Sequence, residues 1–442
     1  MHTCGGFFVI QRIQMRIEDL YKRYLDHPTI CTDTRKIETG CIFVALIGQN
    51  HDGNLFAEEA ISKGAAYAVV SKPQLENPKF IHVSDTLETL QELAAFHRQK
   101  FDIPVLGITG SNGKTTTKEL IFNVMSQKFR VHATLGNLNN HIGVPLTILS
   151  MPLTSEFLIV EMGASGIGEI DELCRIAQPN AGLITCIGQA HLEGFGGIKG
   201  VVKGKSELFE YLKRRSGVFF LNHEDQYLRR FEGQSIHQIT YGHTAECDVY
   251  TRLVQHAGKE IHFQFLQSDG EYTLFKTQLY GQYNLINLTA ATTVGTHYHV
   301  PLEKIKFGIE CYQAENNRSQ VITVGSNTVV LDAYNANPSS MESAIFSFAK
   351  IFENRILVLG DMKELGEESE LLHQELIDKI SNLKWESVIL VGEEFSKTKR
   401  PTHFRHFDDI NQCKKNISIT DYQNMDILIK GSRSMRLEEL VV

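Results

Sequence analysis

The stretch "PVLGITGSNGKTTTKEL", residues 104–120, constrains this chain more than any other. An apolar run of strand length enters a glycine turn and leaves it as a helical pattern, the order of a strand-loop-helix unit in a parallel sheet. Such a turn gathers backbone N–H groups and a helix N-terminus where an anion would sit. The spacing departs from the familiar G-x-x-x-x-G-K-[ST], because the place five before Gly113 is Ile108 and the nearest glycines are Gly107 and Gly110. Gly110, Ser111, Asn112, Gly113, Lys114, Thr115 and Thr116 read as a candidate phosphate cradle. Lys114 would neutralise β and γ phosphates, and the Thr115 hydroxyl would hold Mg2+. The competing reading is a plain glycine turn that caps a helix.

Elsewhere short apolar runs alternate with longer amphipathic stretches, the βα rhythm of parallel sheets. The 442 residues suggest about three domains, each with its own core. Strands "CIFVAL" and "AAYAVV" and helices in "RIEDLYKRYL", "NLFAEEAISKG" and "DTLETLQELAAFHRQKF" occupy a first domain, residues 1–100. Strands "VLGIT", "FLIVEMG" and "AGLITCIG", a β-rich section over residues 216–279 and the helix "YNLINLTAATTVGTHYH" occupy a second, residues 101–312. Four buried strands, "NTVVLDAY", "RILVLGDM", "SVILVG" and "DILIKGS", predict a small doubly wound sheet over residues 313–442. The net charge of −8 gives no general attraction for nucleic acid or anionic lipid, so an anionic ligand must be met by local groups. Eight scattered cysteines without metal-ligand spacing, and no apolar run near the ~18 residues that span a bilayer, predict a cytoplasmic protein without membrane insertion. The first residues, "MHTCGGFFVIQRIQM", make a poor signal peptide, and Met15 is an alternative start.

Glu161 ends the strand "FLIVE", where a carboxylate can reach a metal held on phosphates; a surface glutamate in a turn is the alternative. His191 follows "GLITCIG" in the same manner, and a lone histidine there is more often structural. Asn284 and Asn287 lie one turn apart on one helix face. Arg318 follows a domain junction and Asp332 ends a strand, while Lys430 and Arg433 follow the last strand, as phosphate or carboxylate partners or as a solvated turn.

Taken with their neighbours these residues acquire a pattern. "GITGSNGKTTTKE", "GNLNNHIGVPLT", "VEMGASGIGEI", "GQAHLEGFGG" and "KGKSELF" follow one another in the order of the ATP-dependent Mur ligases of bacterial cell-wall synthesis, which this chain resembles from Met15 onward. The family's loop is the shortened T-G-x-N-G-K-T form. Within it, "TDTR", "GNLNN", "DAYNANPSSM" and "LGDMKELGEES" resemble the member that adds D-alanyl-D-alanine to UDP-N-acetylmuramoyl-tripeptide. A related ligase that adds a diamino acid carries D-N-P-R where this chain has "NANPSS".

The resemblance implies an α/β fold of three domains: a central P-loop parallel-sheet ATPase, an N-terminal α/β domain for the UDP-substrate and a C-terminal Rossmann-like domain. It implies ATP and two Mg2+ ions, with Thr115, Glu161 and His191 as metal ligands and Asn284, Asn287, Arg318 and Asp332 around the nucleotide. Thr34, Arg35, Asp52 and Gly53, then Asn137, Asn139 and Asn140, then Tyr334, Asn335 and Asn337, become substrate-binding candidates. The threonines at 32 and 34 stand where the family more often has serines. Lys205 sits where a cation beside two magnesium ions is disfavoured, and the resemblance implies that it is carbamylated, giving the anionic oxygen donor Mg2+ prefers. "KSELF" fits that setting at Lys205 and not at Lys203. The expected protein is a monomer acting on small molecules. The rivals are a folylpolyglutamate synthase, which lacks a UDP-binding first domain, and a catalytically idle nucleotide-binding partner protein.

Overall fold

The computed structural model describes residues 15–257, 260–267 and 270–441. Residues 1–14, which carry the question of a start at Met15, lie outside the described residues. The chain forms two compact units: the described part of Met1–Asp102 with Thr134–Leu153 and Arg175–Gln178, and the remainder.

In the first unit four parallel strands, β1 (Ile30–Cys31), β2 (Ile42–Val44), β3 (Tyr67–Val70) and β4 (Phe80–His82), pair in that order. The helix Thr86–Arg98 begins at Asp85, whose carboxylate accepts from the Glu88 N–H at 2.8 Å, so the expected capped helix forms. Residues 134–153 return to this unit. The Tyr24 hydroxyl donates to the Leu149 carbonyl at 2.5 Å and the Gln91 amide to the His141 carbonyl at 3.1 Å. Arg98 Nε likewise donates to the Ala177 carbonyl at 3.1 Å.

The second unit holds two sheets. The larger contains β5 (Val105–Thr109), β6 (Val131–Ala133), β7 (Phe157–Glu161), β8 (Ala181–Ile184), β9 (Val218–Asn222), β10 (His237–Gly242), β11 (Val249–Ala257), β12 (Glu260–Leu266) and β13 (Tyr272–Lys276). Their order is β13-β12-β11-β10-β9-β8-β5-β7-β6, parallel except for the β11-β12-β13 meander. From β5 the chain runs to the edge strand β6, returns to β7 between the two, then crosses to β8 on the other side of β5, so strand order reverses at β5. Parallel sheets leave a crevice outside the carboxyl ends of the strands at such a point. Leu106 and Ile108 of β5, Phe157 and Ile159 of β7 and Leu183 of β8 are buried in one core with Leu288 and Ala291 of the helix Leu285–His297.

The smaller sheet contains β14 (Gln320–Val324), β15 (Asn327–Asp332), β16 (Arg355–Gly360), β17 (Ser387–Val391), β18 (Arg405–Phe407) and β19 (Asp426–Lys430), ordered β14-β15-β19-β16-β17-β18. It thus has six strands where the apolar runs predict four. The additions are its edges: β14 is antiparallel and at most half-buried, and β18 has three residues, so neither needs a continuous apolar run. Asn327 ties a turn beneath this sheet. Its amide donates to the Ile419 and Tyr422 carbonyls at 2.9 and 2.7 Å and accepts from the Met425 N–H at 3.0 Å, with the side chain wholly buried. Asn327→Ala leaves the Tyr422 carbonyl and the Met425 N–H without this partner and the Ile419 carbonyl with only the Tyr422 N–H, and we expect a loss of about 3 kcal/mol, read as a lower denaturant midpoint with the phosphate loop chemistry unchanged.

Candidate functional site

The glycine turn after β5 is a left-handed backbone that side chains would block. Gly110 has φ +142°, and a Cβ there would collide with Thr185 Oγ1. Gly113 has φ +78°, and a Cβ would approach Asn287 Oδ1 to 2.7 Å. Those two contacts explain why glycine stands at 110 and 113 while Ile108, inside the strand, needs none. The turn is tied to the segment after β8: the Ser111 N–H donates to the Cys186 carbonyl at 2.9 Å, Ser111 Oγ accepts from the Gly188 N–H at 2.9 Å, and the Thr185 hydroxyl donates to the Asn112 carbonyl at 2.5 Å.

The helix Lys114–Met125 starts at Gly113. Lys114 Nζ folds back to the Gly110 carbonyl at 2.7 Å. Burial pushes its pKa down, opposed by the Glu161 carboxylate and reinforced by the Arg318 charge. The Thr115 hydroxyl donates to Glu161 Oε1 at 3.2 Å, and both side chains are buried. Thr116 is half-buried on the first turn. Among the described residues no three His, Cys, Asp or Glu side chains gather at metal-binding distance. The Thr115–Glu161 oxygen pair nevertheless fits Mg2+, which takes few protein ligands and completes its shell with phosphate and water.

Asn284 and Asn287 form a buried relay, with Asn287 Nδ2 donating to Asn284 Oδ1 at 2.8 Å, Asn284 Nδ2 to the Tyr280 carbonyl at 2.8 Å, and Thr117 Oγ1 to Asn287 Oδ1 at 3.1 Å. A cleft of about 520 Å3 adjoins them, lined by Gln282, Tyr283, Ile286, Asp225, His243 and Lys350 among others.

Lys205 ends the helix Ile198–Lys205 and is 1% exposed, whereas Lys203 faces solvent. Its Nζ donates to the Ala164 carbonyl at 3.0 Å and lies 5.2 Å from the centre of the Phe195 ring. Burial, with the Lys114 charge adding to it, holds the Lys205 pKa well below its ordinary value against Glu169 and Glu207.

The smaller sheet brings further residues to the same unit. Asp332 Oδ2 pairs with the buried Lys430 at 2.6 Å, and Asp332 Oδ1 accepts from the Ser319 N–H at 3.1 Å. The Lys430 ammonium also donates to the Asn335 carbonyl at 3.2 Å. Arg318 and Arg433 lie over the Tyr334 ring, 3.6 and 5.0 Å from its centre. Asn337 caps the helix Pro338–Ile351 in a capping box with Ser340, and its Nδ2 donates to Asn112 Oδ1 at 2.8 Å, joining this sheet to the phosphate loop. Ser339 Oγ accepts from the Gln189 N–H at 3.2 Å.

His191 adopts a left-handed backbone, φ +53°, and its Nδ1 meets Glu364 Oε2 at 2.5 Å. The imidazole holds the Glu364 carboxyl below its usual range. Sequence reading missed Glu364, since "LGDMKELGEES" served it as a label and not as a shape. It also missed Asp225, which accepts from the Ile187 N–H at 2.7 Å and anchors the segment leading to His191. Glu207, two residues after Lys205, accepts from the Gly168 and Asp171 N–H groups at 2.6 and 3.0 Å and so caps the helix Glu169–Ala177.

The remaining candidates belong to the first unit. Thr34 and Arg35 open a short 3-10 turn capped by Asp33, whose carboxylate pairs with the exposed Arg35 guanidinium at 2.7 Å. Asp52 accepts from the Asn54 N–H at 3.0 Å and pairs with Lys72. Gly53 sits so close to Leu46 that a Cβ would come 2.6 Å from its carbonyl oxygen. Asn140 accepts from the Ile142 and Gly143 N–H groups at 3.1 and 2.8 Å, Asn139 is half-buried, and Asn137 is exposed.

Comparison with known proteins agrees with this architecture. The family model described as "Mur ligase middle domain" matches residues 108–295, and "Mur ligase, glutamate ligase domain" matches residues 317–433. The UDP-N-acetylmuramoyl-tripeptide–D-alanyl-D-alanine ligase of Bacillus subtilis is 35% identical, covering 98% of each chain. Among solved structures, MurF from Acinetobacter baumannii is similar with a TM-score of 0.86 and 30% identity over 93% of this chain and 92% of that one. MurF ligase from Thermotoga maritima in complex with ADP gives a TM-score of 0.84 and 27% identity over 93% and 96%.

The loop that carries Glu364 is held by the fully buried His373, whose Nε2 accepts from the Met362 N–H at 3.0 Å while Nδ1 faces the Ser369 carbonyl at 2.7 Å. Burial lowers the His373 pKa. The unfolded chain therefore takes the proton first, near the ordinary value of about 6.5, and the contribution present above that pH is lost as pH falls below it. Denaturant midpoints measured from pH 7 to pH 5 should fall with acid, and less steeply in His373→Gln.

Proposed function

Because this chain belongs to the Mur ligase family, we infer that it is an ATP-dependent amide ligase that adds D-alanyl-D-alanine to UDP-N-acetylmuramoyl-tripeptide in peptidoglycan synthesis. The observation that carries this reading is the similarity, over nearly the full length of both chains, to a ligase named for those two substrates. That coverage includes the first unit, which a folylpolyglutamate synthase would not require. The retained Lys114, Thr115, Glu161, His191 and Lys205 speak against an idle binding protein.

In this reading the tripeptide's terminal carboxylate oxygen attacks the γ-phosphorus of ATP and ADP leaves. The D-alanyl-D-alanine amine then attacks the acyl carbon of the resulting acyl phosphate, phosphate departs with the C–O electron pair, and the nitrogen loses a proton. Both steps bring anions together, so the cations decide the barrier. Lys114 and Arg318 act on phosphate charge, and the Gly110–Gly113 turn offers its N–H groups. Thr115 and Glu161 would hold one Mg2+, with His191 serving a second; the ions neutralise phosphate oxygens when bound. Asn284 and Asn287 brace the nucleotide cleft, and Asp332 with Lys430 sets the loop bearing Tyr334, Asn335 and Asn337 as the dipeptide side. Thr34, Arg35, Asp52, Gly53, Asn137, Asn139 and Asn140 serve the UDP-substrate. Three functional domains, 1–100, 101–312 and 313–442, divide this work in a cytoplasmic monomer.

Lys205 as a carbamate fits its surroundings: a buried amine with a depressed pKa is neutral more readily, and a neutral amine takes up carbon dioxide. Lys205→Ala should cut turnover by about 100-fold, with partial rescue by short carboxylates, while Lys203→Ala keeps most activity. Full activity in Lys205→Ala would exclude the carbamate. The function itself is tested by phosphate release: D-alanyl-D-alanine should support it with the UDP-muramoyl-tripeptide, and free diaminopimelate or lysine with the dipeptide precursor should not. The reverse preference would assign the chain to the diamino-acid branch.

A further inference from the structure

We propose that Glu364 is the positioning residue of His191: its carboxylate accepts a hydrogen bond from Nδ1–H and so reserves Nε2 for a divalent cation. The inference rests on the reading of His191 as a metal ligand and adds a partner from the other sheet of the same unit. His191 stands beyond β8 of the larger sheet, and Glu364 stands beyond β16 of the smaller one.

The geometry carries the argument in three steps. First, Nδ1 is buried and faces Glu364 Oε2 at 2.5 Å, off the direction of an ideal hydrogen bond. Catalytic contacts are commonly loose before ligands bind. Second, both partners hold left-handed backbones, φ +53° at His191 and +65° at Glu364. Each such conformation costs on the order of 1 kcal/mol or more. The Glu364 side chain is 59% exposed, and an ion pair that open contributes about 0–1 kcal/mol. Stability therefore does not account for the strain. Third, the loop is fixed independently of the pair. Asp361 accepts from the Glu394 and Phe395 N–H groups at 3.1 and 3.2 Å, the Lys363 N–H donates to Ser432 Oγ at 3.0 Å, and Leu365 is buried. On the other side Asp225 holds Ile187, and Ser339 holds Gln189, two residues before His191. Two pinned segments thus present one carboxylate to one imidazole. A carboxylate on the far nitrogen of a metal-binding histidine sets its tautomer and ring orientation, and loss of such a partner typically weakens metal binding 10–100-fold.

The test uses the full chain, with Mn2+ titrated in the presence of ADP and followed by electron paramagnetic resonance. 15N NMR of the metal-free protein reads the His191 tautomer. Glu364→Ala should weaken the His191-dependent Mn2+ site about 10–100-fold and scramble the tautomer, with an unchanged unfolding midpoint. Glu364→Gln, whose amide oxygen still accepts from Nδ1–H, should restore both to near wild type. Unchanged Mn2+ binding in Glu364→Ala overturns the inference. Equal loss in Glu364→Gln and Glu364→Ala also overturns it, by making the charge itself the ligand. If His191→Ala leaves Mn2+ binding intact, the metal reading of His191 falls and this inference with it, whereas loss in His191→Ala alone sinks only the role of Glu364.

Discussion

Lys114 lies close enough to Arg318 for the two charges to disfavour one another, and its charge joins burial in driving Lys205 toward the neutral form. Folding holds them together because the backbone leaves no alternative: two left-handed glycines aim the phosphate loop, and the strand-order reversal at β5 sets β7 and β8 on either side of it. Glu161 offsets part of the charge. A phosphate chain would supply the rest, which makes the cluster a receptor for polyanion more than a stabilising feature. The elements around it serve mainly to keep these groups from relaxing apart.

Most of that scaffold was legible in the sequence, and for a definite reason. Parallel strands buried on both faces need continuous apolar runs, so β5, β7, β8, β16 and β17 announce themselves. Glycines at positive φ do the same for the loop. Edge strands such as β6, β14 and β18 escaped notice because one side faces no core and their sequences are short or mixed. Lys205 is buried and Lys203 exposed, a contrast of surroundings within one helix that its local composition does not announce.

Side-chain partnerships were not legible. Glu364, Asp225, Glu207 and Asn337 each act on a residue between 36 and 225 positions away, as the Asn337–Asn112 hydrogen bond illustrates. No local pattern encodes which carboxylate will face which imidazole. Asn284 and Asn287 mark the middle ground: their shared face was readable, and their commitment to one another and to Thr117 was not.

The return of residues 134–153 and 175–178 to the first unit bears on how the protein is made. The Thr86–Arg98 helix finds partners in His141 and Ala177, and Tyr24 finds one in Leu149. A nascent chain that has just emerged through Asp102 therefore lacks part of the unit it has begun. At translation speeds of about 5–20 residues per second, completing it waits on the order of 4–15 s. During that interval the side chains of Tyr24, Gln91 and Arg98 still lack their carbonyl partners, while β5 of the next sheet is already being synthesised.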